Sequence, residues 1–400
     1  MKKIRVLVLT DRFPPHDRGG AERIAYYHAH ALKEEGFRVA VFTSQEEGVP
    51  PAHEPVEEEG IQVFRSFSLS SLTNSKLRLG IDKALVFPSM IWNPWMKKKL
   101  HAAAGSFSPD LIHAHQIHRI SYGAFIKTAP GIPHFLTFHG YQFECPKGGL
   151  YRKQAKRMCE IKPICCAVFS RLMRLNLKHV DRIIAISHFI QHRLIDCGYD
   201  PSKIVYIPNG VPGLKVRELT PPEGTKQILY VGRVAENKGV QELITAFQKV
   251  QDPEARLVIV GDGPYMPSVR SLAGDNRRIV FMGWQKPESV SSLYQSSRMV
   301  VVPSLWHEVM NTVICEAQSW ARPVIATRVG GNADLIEDGV SGMFYAPGDV
   351  DALSSAISRL LEDDVLVQRM GEDGFQRVGR YTIQRHIKSI KELYSHLGIG

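Results

Sequence analysis

The chain has 400 residues, 44% hydrophobic and 22% charged, too long for one ordinary domain and suited to two. That mixture excludes a disordered chain, a collagen-like chain and a small disulfide scaffold. Lys plus Arg number 50 against 40 Asp plus Glu, a formal charge of +10. The excess sits in residues 1–200, with 28 basic and 18 acidic side chains, against 22 and 22 in residues 201–400. A basic half points to an anionic partner (phosphate, nucleic acid or a membrane surface) or to a plain solvated face.

No run reaches the ~18 apolar residues that a bilayer crossing requires. Residues 1–10, MKKIRVLVLT, read as a first buried strand and not as a leader. The apolar run is short, and Asp11-Arg12 stands where a small-residue cleavage site belongs. The expected compartment is the cytosol, with the six cysteines reduced.

From there, short apolar runs alternate with amphipathic stretches. Ile4–Thr10 is followed by a Pro/Gly loop and by helical spacing over Ala21–Gly36, then by a strand at Arg38–Thr43. Further strands are expected at Leu111–His115, His134–His139, Arg182–Ser187, Ile204–Ile207, Ile228–Val231, Leu257–Val260, Ile279–Met282, Met299–Val302 and Val324–Thr327. Runs apolar on both faces and separated by helices argue for parallel sheets with helices outside. The rhythm restarts near Lys226 after loops rich in Pro, Gly and Asn. This gives a first domain over 1–205, a second over 206–380, and a helix over 381–400 that packs back across a cleft between two doubly wound halves. Residues 76–101 and 145–178 fit the rhythm poorly and read as insertions on the first domain.

The most informative stretch is Pro303–Ala317. A strand ends at Val302, and a helix begins near Asn311 or Thr312, both good N-cap residues. Its free N–H groups and dipole suit an anion. Glu308 lies in the loop and Glu316 in the helix, eight residues apart, so both acids can turn to one side. Arg233 and Lys238 follow the first strand of the second domain, placed to clamp a diphosphate from two directions.

These features resemble the retaining glycosyltransferases of the GT-B fold, family 4. Glu308 and Glu316 form an E-x7-E pair followed by Ala321-Arg322-Pro323-Val324-Ile325-Ala326 and Gly330-Gly331, and upstream stands Val231-Gly232-Arg233-Val234-Ala235-Glu236-Asn237-Lys238-Gly239. The resemblance spans nearly the whole chain. It implies an α/β GT-B fold of two Rossmann-like domains facing a central cleft. It also implies transfer from a nucleotide-sugar co-substrate to a glycan or lipid-linked acceptor, with no metal cofactor and with the leaving phosphate taking the acceptor proton. By this resemblance Arg233 and Lys238 neutralise the diphosphate, Glu316 holds the ribose, and Glu308 holds hydroxyls of the donor sugar. Gly261 and Gly283 lie near the base, and Met310, Asn311 and Thr312 touch the donor. Val309-Met310-Asn311 departs from the Gly-rich turn usual after the first Glu. Trp284 is expected to pack.

In the first domain, Gly19-Gly20 precede a helix and match the family's Gly-Gly loop. They match neither a P-loop nor the G-x-G-x-x-G fingerprint. His139, at a strand's carboxyl end, takes the family's donor-sugar role. His113, His115 and His118 invite a metal reading; against it, Asp110, His113 and His115 match a structural edge in the family. Cys145, Cys159, Cys165 and Cys166 read as reduced thiols before zinc ligands, having no C-x2-C pair. Between Arg152 and Arg182, nine basic residues interleave with Ile164, Ala167, Val168, Phe169, Leu172 and Met173. Trp92, Trp95 and Lys97–Lys99 add aromatic and basic character. That composition suits an anionic membrane surface at the inner face, or a loop covering the cleft. The alternatives are an epimerase of the same fold and a non-catalytic nucleotide-sugar binder; no nucleic-acid module is present.

Overall fold

A computed structural model describes residues 3–15, 20–45, 54–67, 88–126, 128–129, 131–146, 149–152, 157–159, 164–211, 213–214 and 224–396. The chain forms two compact units. Met1–Gly149, Ile161–Pro212 and Ile383–Gly400 make the first, and Leu150–Glu160 and Gly213–Thr382 make the second.

The first unit is built on eight strands: β1 (Arg5–Thr10), β2 (Arg38–Ser44), β3 (Val56–Glu58), β4 (Ile61–Ser66), β5 (Leu111–His115), β6 (His134–Phe138), and two that follow a short β7 (Tyr151–Arg152) and β8 (Arg157–Met158) pair of the second unit, namely β9 (Arg182–Ala185) and β10 (Ile204–Tyr206). Their order is β10-β9-β6-β5-β1-β2-β4-β3, parallel except for β3 on β4. The order reverses direction between β1 and β5, the switch point where doubly wound sheets open a crevice. Helices α1 (Gly20–Glu34), α2 (Pro94–Phe107), α3 (Tyr122–Ile126), α4 (Ile164–Leu177) and α5 (His188–Asp196) flank this sheet.

The second unit holds β11 (Gln227–Val231), α6 (Val240–Gln248), β12 (Arg256–Val260), α7 (Met266–Ala273), β13 (Ile279–Gly283), α8 (Pro287–Ser296), β14 (Met299–Val302), α9 (Thr312–Ser319), β15 (Val324–Thr327), α10 (Asn332–Leu335), β16 (Gly342–Tyr345), α11 (Val350–Glu362) and α12 (Asp364–Val378). Its all-parallel order, β13-β12-β11-β14-β15-β16, has its switch point between β11 and β14.

Four segments differ from the sequence reading. The first unit runs through Pro212 and not to 205, because Ile204–Tyr206 pairs with β9. The terminal helix α13 (Ile383–Ser395) is part of the first unit. Its buried His386, Ile387, Ile390, Leu393 and Tyr394 recur at helical spacing and join a core with Val6, Val8, Phe135 and Ile184. The segment read as an insertion at 76–101 lies partly outside the described residues. Of its described part, residues 88–91 form a separate helical turn, and Pro94 onward belongs to α2, a sheet-covering helix that starts at the Asn93 cap and buries Met96, Leu100, Ala103, Ala104 and Phe107. Of 145–178, residues 150–160 fall in the second unit and Ile164–Leu177 forms α4 in the first.

Two arginines are buried at helix ends, where backbone carbonyls lack partners. Arg322 is 1% exposed. Its Nε donates to the Tyr294 carbonyl at 2.9 Å and a terminal nitrogen to that of Gln295 at 2.6 Å, closing the end of α8. Burial pushes this guanidinium down to about 10. Arg298 does the same at the end of α11, donating to the Leu360 carbonyl. Replacing Arg322 by Met keeps the volume and strands both carbonyls. Arg322→Met should therefore cost about 2–4 kcal/mol in urea unfolding, and a loss below about 0.5 kcal/mol would show that the cap is dispensable.

Candidate active site

In the second unit the site starts from backbone geometry. After β11 the chain turns through Arg233 and a 3-10 turn at Glu236–Lys238 into Gly239, at φ +69°. A Cβ on Gly239 would lie 1.8 Å from the Pro303 carbonyl oxygen, so only glycine lets this turn lie against the end of β14. The Leu305 N–H donates to the Asn237 carbonyl at 3.0 Å, fastening the two loops.

That contact aims Lys238 at Glu308. Lys238 Nζ donates to Glu308 Oε1 at 2.7 Å, and Ser304 Oγ donates to the same oxygen at 2.6 Å. Glu308 is 6% exposed. A carboxylate so buried is tolerable only with such partners. Its backbone is clamped too. The Gly331 N–H donates to the Glu308 carbonyl at 2.7 Å, and Gly330, at φ +55°, comes so close that a Cβ would stand 2.1 Å from that oxygen. Lys238 Nζ also lies 5.2 Å from the centre of the Trp306 ring. Arg233 is exposed, and its guanidinium makes no ion pair among the described residues.

Asn311 caps α9, its side-chain oxygen accepting from the Val313 N–H at 3.1 Å. Thr312 is the first residue of the helix. Val309 is buried, so of the unusual Val309-Met310-Asn311 turn only the half-buried Met310 is left to present a side chain. Within α9, Glu316 Oε2 accepts from the Tyr294 hydroxyl at 2.8 Å. Burial first, then the Glu316 charge, pushes the Tyr294 phenol well above its ordinary range, so it stays a donor.

Gly261 and Gly283 act through backbone. A Cβ on Gly261 would lie 1.9 Å from the Gly232 carbonyl oxygen, and the Gly261 N–H donates to the Gly283 carbonyl at 2.7 Å. These bonds stitch the ends of β11, β12 and β13 side by side. Trp284 is 71% exposed and does not pack as expected.

In the first unit, Gly20 opens α1 and Gly19 lies outside the described residues. At the β1/β5 switch point, buried Asp11 accepts from the N–H groups of His118 (3.0 Å) and Arg119 (2.7 Å), with His118 Nδ1 at 3.1 Å. Glu22, in the first turn of α1, is nearly buried, and desolvation raises its carboxyl above the usual range. His139 is half-buried. Its Nε2 meets His115 Nδ1 at 2.9 Å, and its Nδ1 is buried without a partner. Burial, with His386 nearby, holds it neutral, down to about 3. A sugar hydroxyl reaching His139 must displace His115 or open the wall over Nδ1.

The expected trio of histidines divides. His118 pairs with Asp11, while His113 and His115 join His28 and His386 in the core. Asp110 lies at the opposite end of β5, bonded to Arg5. None of the six cysteines forms a disulfide, and no cysteine belongs to a metal-competent group among the described residues. Tyr294, Ser304, Asp11 and Glu22 escaped sequence reasoning. A lone tyrosine in a helix and a serine after a strand carry no local signature.

Comparison with known proteins agrees with this geometry. Residues 18–212 match the family described as Glycosyltransferase Family 4, and residues 225–363 match Glycosyl transferases group 1. An uncharacterized glycosyltransferase of Methanocaldococcus jannaschii is 25% identical over 379 residues, 90% of each chain. The UDP-Gal:alpha-D-GlcNAc-diphosphoundecaprenol alpha-1,3-galactosyltransferase of Escherichia coli is 27% identical over 305 residues, 71% of this chain and 75% of that one. The fold is that of sucrose-phosphate synthase from Thermosynechococcus elongatus, at a TM-score of 0.78, 22% identity and 99% coverage of both chains. With both halves matched in order and the acidic pair set at the switch point of a doubly wound sheet, the chain belongs to the family 4 glycosyltransferases of the GT-B fold, transferases of class EC 2.4.

Proposed function

We propose that this glycosyltransferase is retaining. In this reading it moves a sugar from a UDP- or GDP-sugar to a glycan or lipid-linked acceptor in cell-surface polysaccharide or glycoconjugate synthesis, with no metal at the diphosphate. The observation that carries the reading is the contact of Lys238 with Glu308 at the β11/β14 switch point. An ammonium has three N–H donors. Glu308 takes one, leaving two for phosphate oxygens, and exposed Arg233 adds a planar fork. The charge developing on the leaving diphosphate then meets fixed cations and the N-terminus of α9. Glu308 Oε2 takes no hydrogen bond from a described residue and suits a donor-sugar hydroxyl. Glu316, fixed by Tyr294, suits the ribose. His139 is assigned to a sugar hydroxyl on the family resemblance. The named activity of the Escherichia coli relative favours uridine as the base and a lipid diphosphate as the acceptor.

Thermal shift with UDP, GDP, ADP, their sugars and pyrophosphate, with and without EDTA, tests the donor site. A ligand at about a hundredfold its Kd adds ~2.7 kcal/mol to the native state. UDP-type ligands should stabilise the wild type equally in EDTA. Lys238→Ala should abolish stabilisation by both UDP and pyrophosphate. Glu316→Gln should weaken UDP at least about tenfold, or ~1.4 kcal/mol, and leave pyrophosphate unchanged. A ligand-induced shift that vanishes in EDTA overturns the metal-free diphosphate. Formation of an isomer without any acceptor would instead favour an epimerase, and tight binding without turnover a silent binder.

A peripheral position at a membrane is supported by α4. Ile164, Val168, Leu172 and Leu175 are 84%, 53%, 40% and 52% exposed. At 100° per residue they fall on one stripe, with Arg171 and Lys178 along its edge, while Phe169, Met173 and Leu177 face the core. The Asn176 side chain donates to the Ile91 carbonyl at 2.9 Å. Ile91 precedes exposed Trp92, and Lys97 and Lys99 lie over the rings of Trp92 and exposed Trp95. Exposed aromatic rings, aliphatic side chains and cations suit an anionic interface. Among the described residues no helix is long and apolar enough to cross a membrane. In vesicle co-sedimentation, the chain should bind vesicles containing phosphatidylglycerol and not neutral ones. Val168→Ser with Leu172→Ser should reduce binding at least about tenfold, and unchanged binding would remove α4 from the interface.

A further inference from the structure

The first unit contains a cluster of imidazoles, and the proposed transfer gives no role to His28, His113 or His115. His28 on α1 and His113 and His115 on β5 are each 0% exposed, and their ring centres lie 4.6 Å apart pair by pair. His386 on α13 and His139 after β6 extend the cluster at its two ends.

The hydrogen bonds fix which nitrogens carry protons. The Pro208 carbonyl can only accept, so His386 Nδ1, 2.8 Å away, is the N–H. His386 Nε2 is therefore a lone pair, and it accepts from His28 Nδ1 at 3.2 Å. His28 Nε2 must then be a bare lone pair, and it is buried with no partner. His115 Nδ1 meets His139 Nε2, and His115 Nε2 and His139 Nδ1 are both buried and unpartnered, so no fixed acceptor sets the proton of this pair. His113 holds a hydroxyl at each nitrogen, Tyr394 at 2.6 Å and Thr137 at 2.8 Å, and a hydroxyl can turn to donate or accept. One ligating nitrogen from each of His28, His113 and His115 lies within 4.8 Å of the others. A buried polar nitrogen without a partner is costly, and His28 and His115 each hold one. A metal-binding histidine characteristically gives its second N–H to an acceptor behind it, which sets the ring. His28 has this support from His386 and the Pro208 carbonyl, and His115 has it from His139.

We propose that His28, His113 and His115 form a structural site for a late first-row transition-metal ion of the Zn2+ type. The ion is held by imidazole nitrogens of the first unit alone. No carboxylate hydrogen-bonds any of the five rings among the described residues, so affinity comes from bonds to nitrogen alone. That donor set selects zinc-like ions over Mg2+ and Ca2+, which favour oxygen. Bound there, the ion ties α1 to β5, and through His386 it steadies α13. It also fixes the His115 N–H toward His139, setting the ring that borders the sugar.

The test uses the untagged full chain with Cys165→Ser and Cys166→Ser, which removes the two adjacent thiols as rival ligands. Co2+ should bind one per chain and give the d–d bands of a nitrogen site, without the sulfur charge-transfer bands of thiolate ligation. Zn2+ should displace it, and Mg2+ and Ca2+ should not. His28→Asn and His115→Asn should each weaken Zn2+ binding at least about tenfold, while Lys238→Ala should leave it unchanged. Absence of one-to-one binding, a thiolate spectrum, or affinity indifferent to both histidine substitutions would overturn the site. Should a histidine variant fail to fold, the cobalt spectrum of the parent decides alone.

Discussion

The bond between Lys238 and Glu308 joins two residues 70 positions apart, and the second unit's site depends on it. It exists because β11 and β14 are neighbours at the switch point, so the loops leaving them start side by side. Close approach is then made possible by missing side chains. Gly239 lets one turn rest on the Pro303 carbonyl, and Gly330 lets another rest on that of Glu308. Once the backbones touch, the carboxylate is enclosed, and enclosure makes Lys238 and Ser304 necessary partners. The same contact that makes Glu308 affordable to bury leaves an ammonium with spare donors at the strand ends. On the proposed reading, stability and chemistry draw on one cluster, and a change at Lys238 touches both.

The first unit solves a different problem. Its core admits five imidazoles along β5, β6, α1 and α13, where aliphatic side chains would ordinarily stand. Burial holds His28, His113 and His115 well below their ordinary range, so these rings are neutral, and a fixed acceptor sets the protons of His386 and His28. The Pro208 carbonyl is the anchor of that order, at the end of the segment after β10. The terminal helix is not an appendage to this arrangement. His386 and Tyr394 reach His28 and His113 through direct bonds of 3.2 and 2.6 Å.

Much of the architecture was legible because parallel strands buried on both faces write themselves as apolar runs. Leu111–His115, Met299–Val302 and Val324–Thr327 begin and end where the sequence places them. β4 and β16 were missed because Ile61–Ser66 is partly polar and Gly342–Tyr345 is four residues long. Lys238 and Glu308 could be placed near one another from the sequence because each follows a strand end, and the structure brings them into contact. Tyr294 and the His28–His386 link could not be placed so, because both are tertiary pairings with no local pattern. Trp284 misled for the complementary reason: a large aromatic reads as core, yet a residue just past a strand's carboxyl end stands on the rim.

Charge balance was the least local guide, and the structure explains its failure. The second half is neutral in sum, yet it holds the cations best placed for a diphosphate. Neutrality there arises from pairing elsewhere: Lys226 with Asp252, Lys249 with Asp351, Arg298 with Asp364, and Arg377 with Glu337. Arg233 is outside that pairing. The excess of the first half, by contrast, includes the flank of α4 and the lysines over Trp92 and Trp95, spread along a surface. A diffuse field of that kind fades within the ~10 Å screening length of ordinary salt, whereas an ammonium held against a buried carboxylate acts at contact distance. Net charge therefore reports where a broad anionic surface would be attracted. A discrete phosphate is located by the opposite signature, cations held beside a fixed acid at the end of a strand.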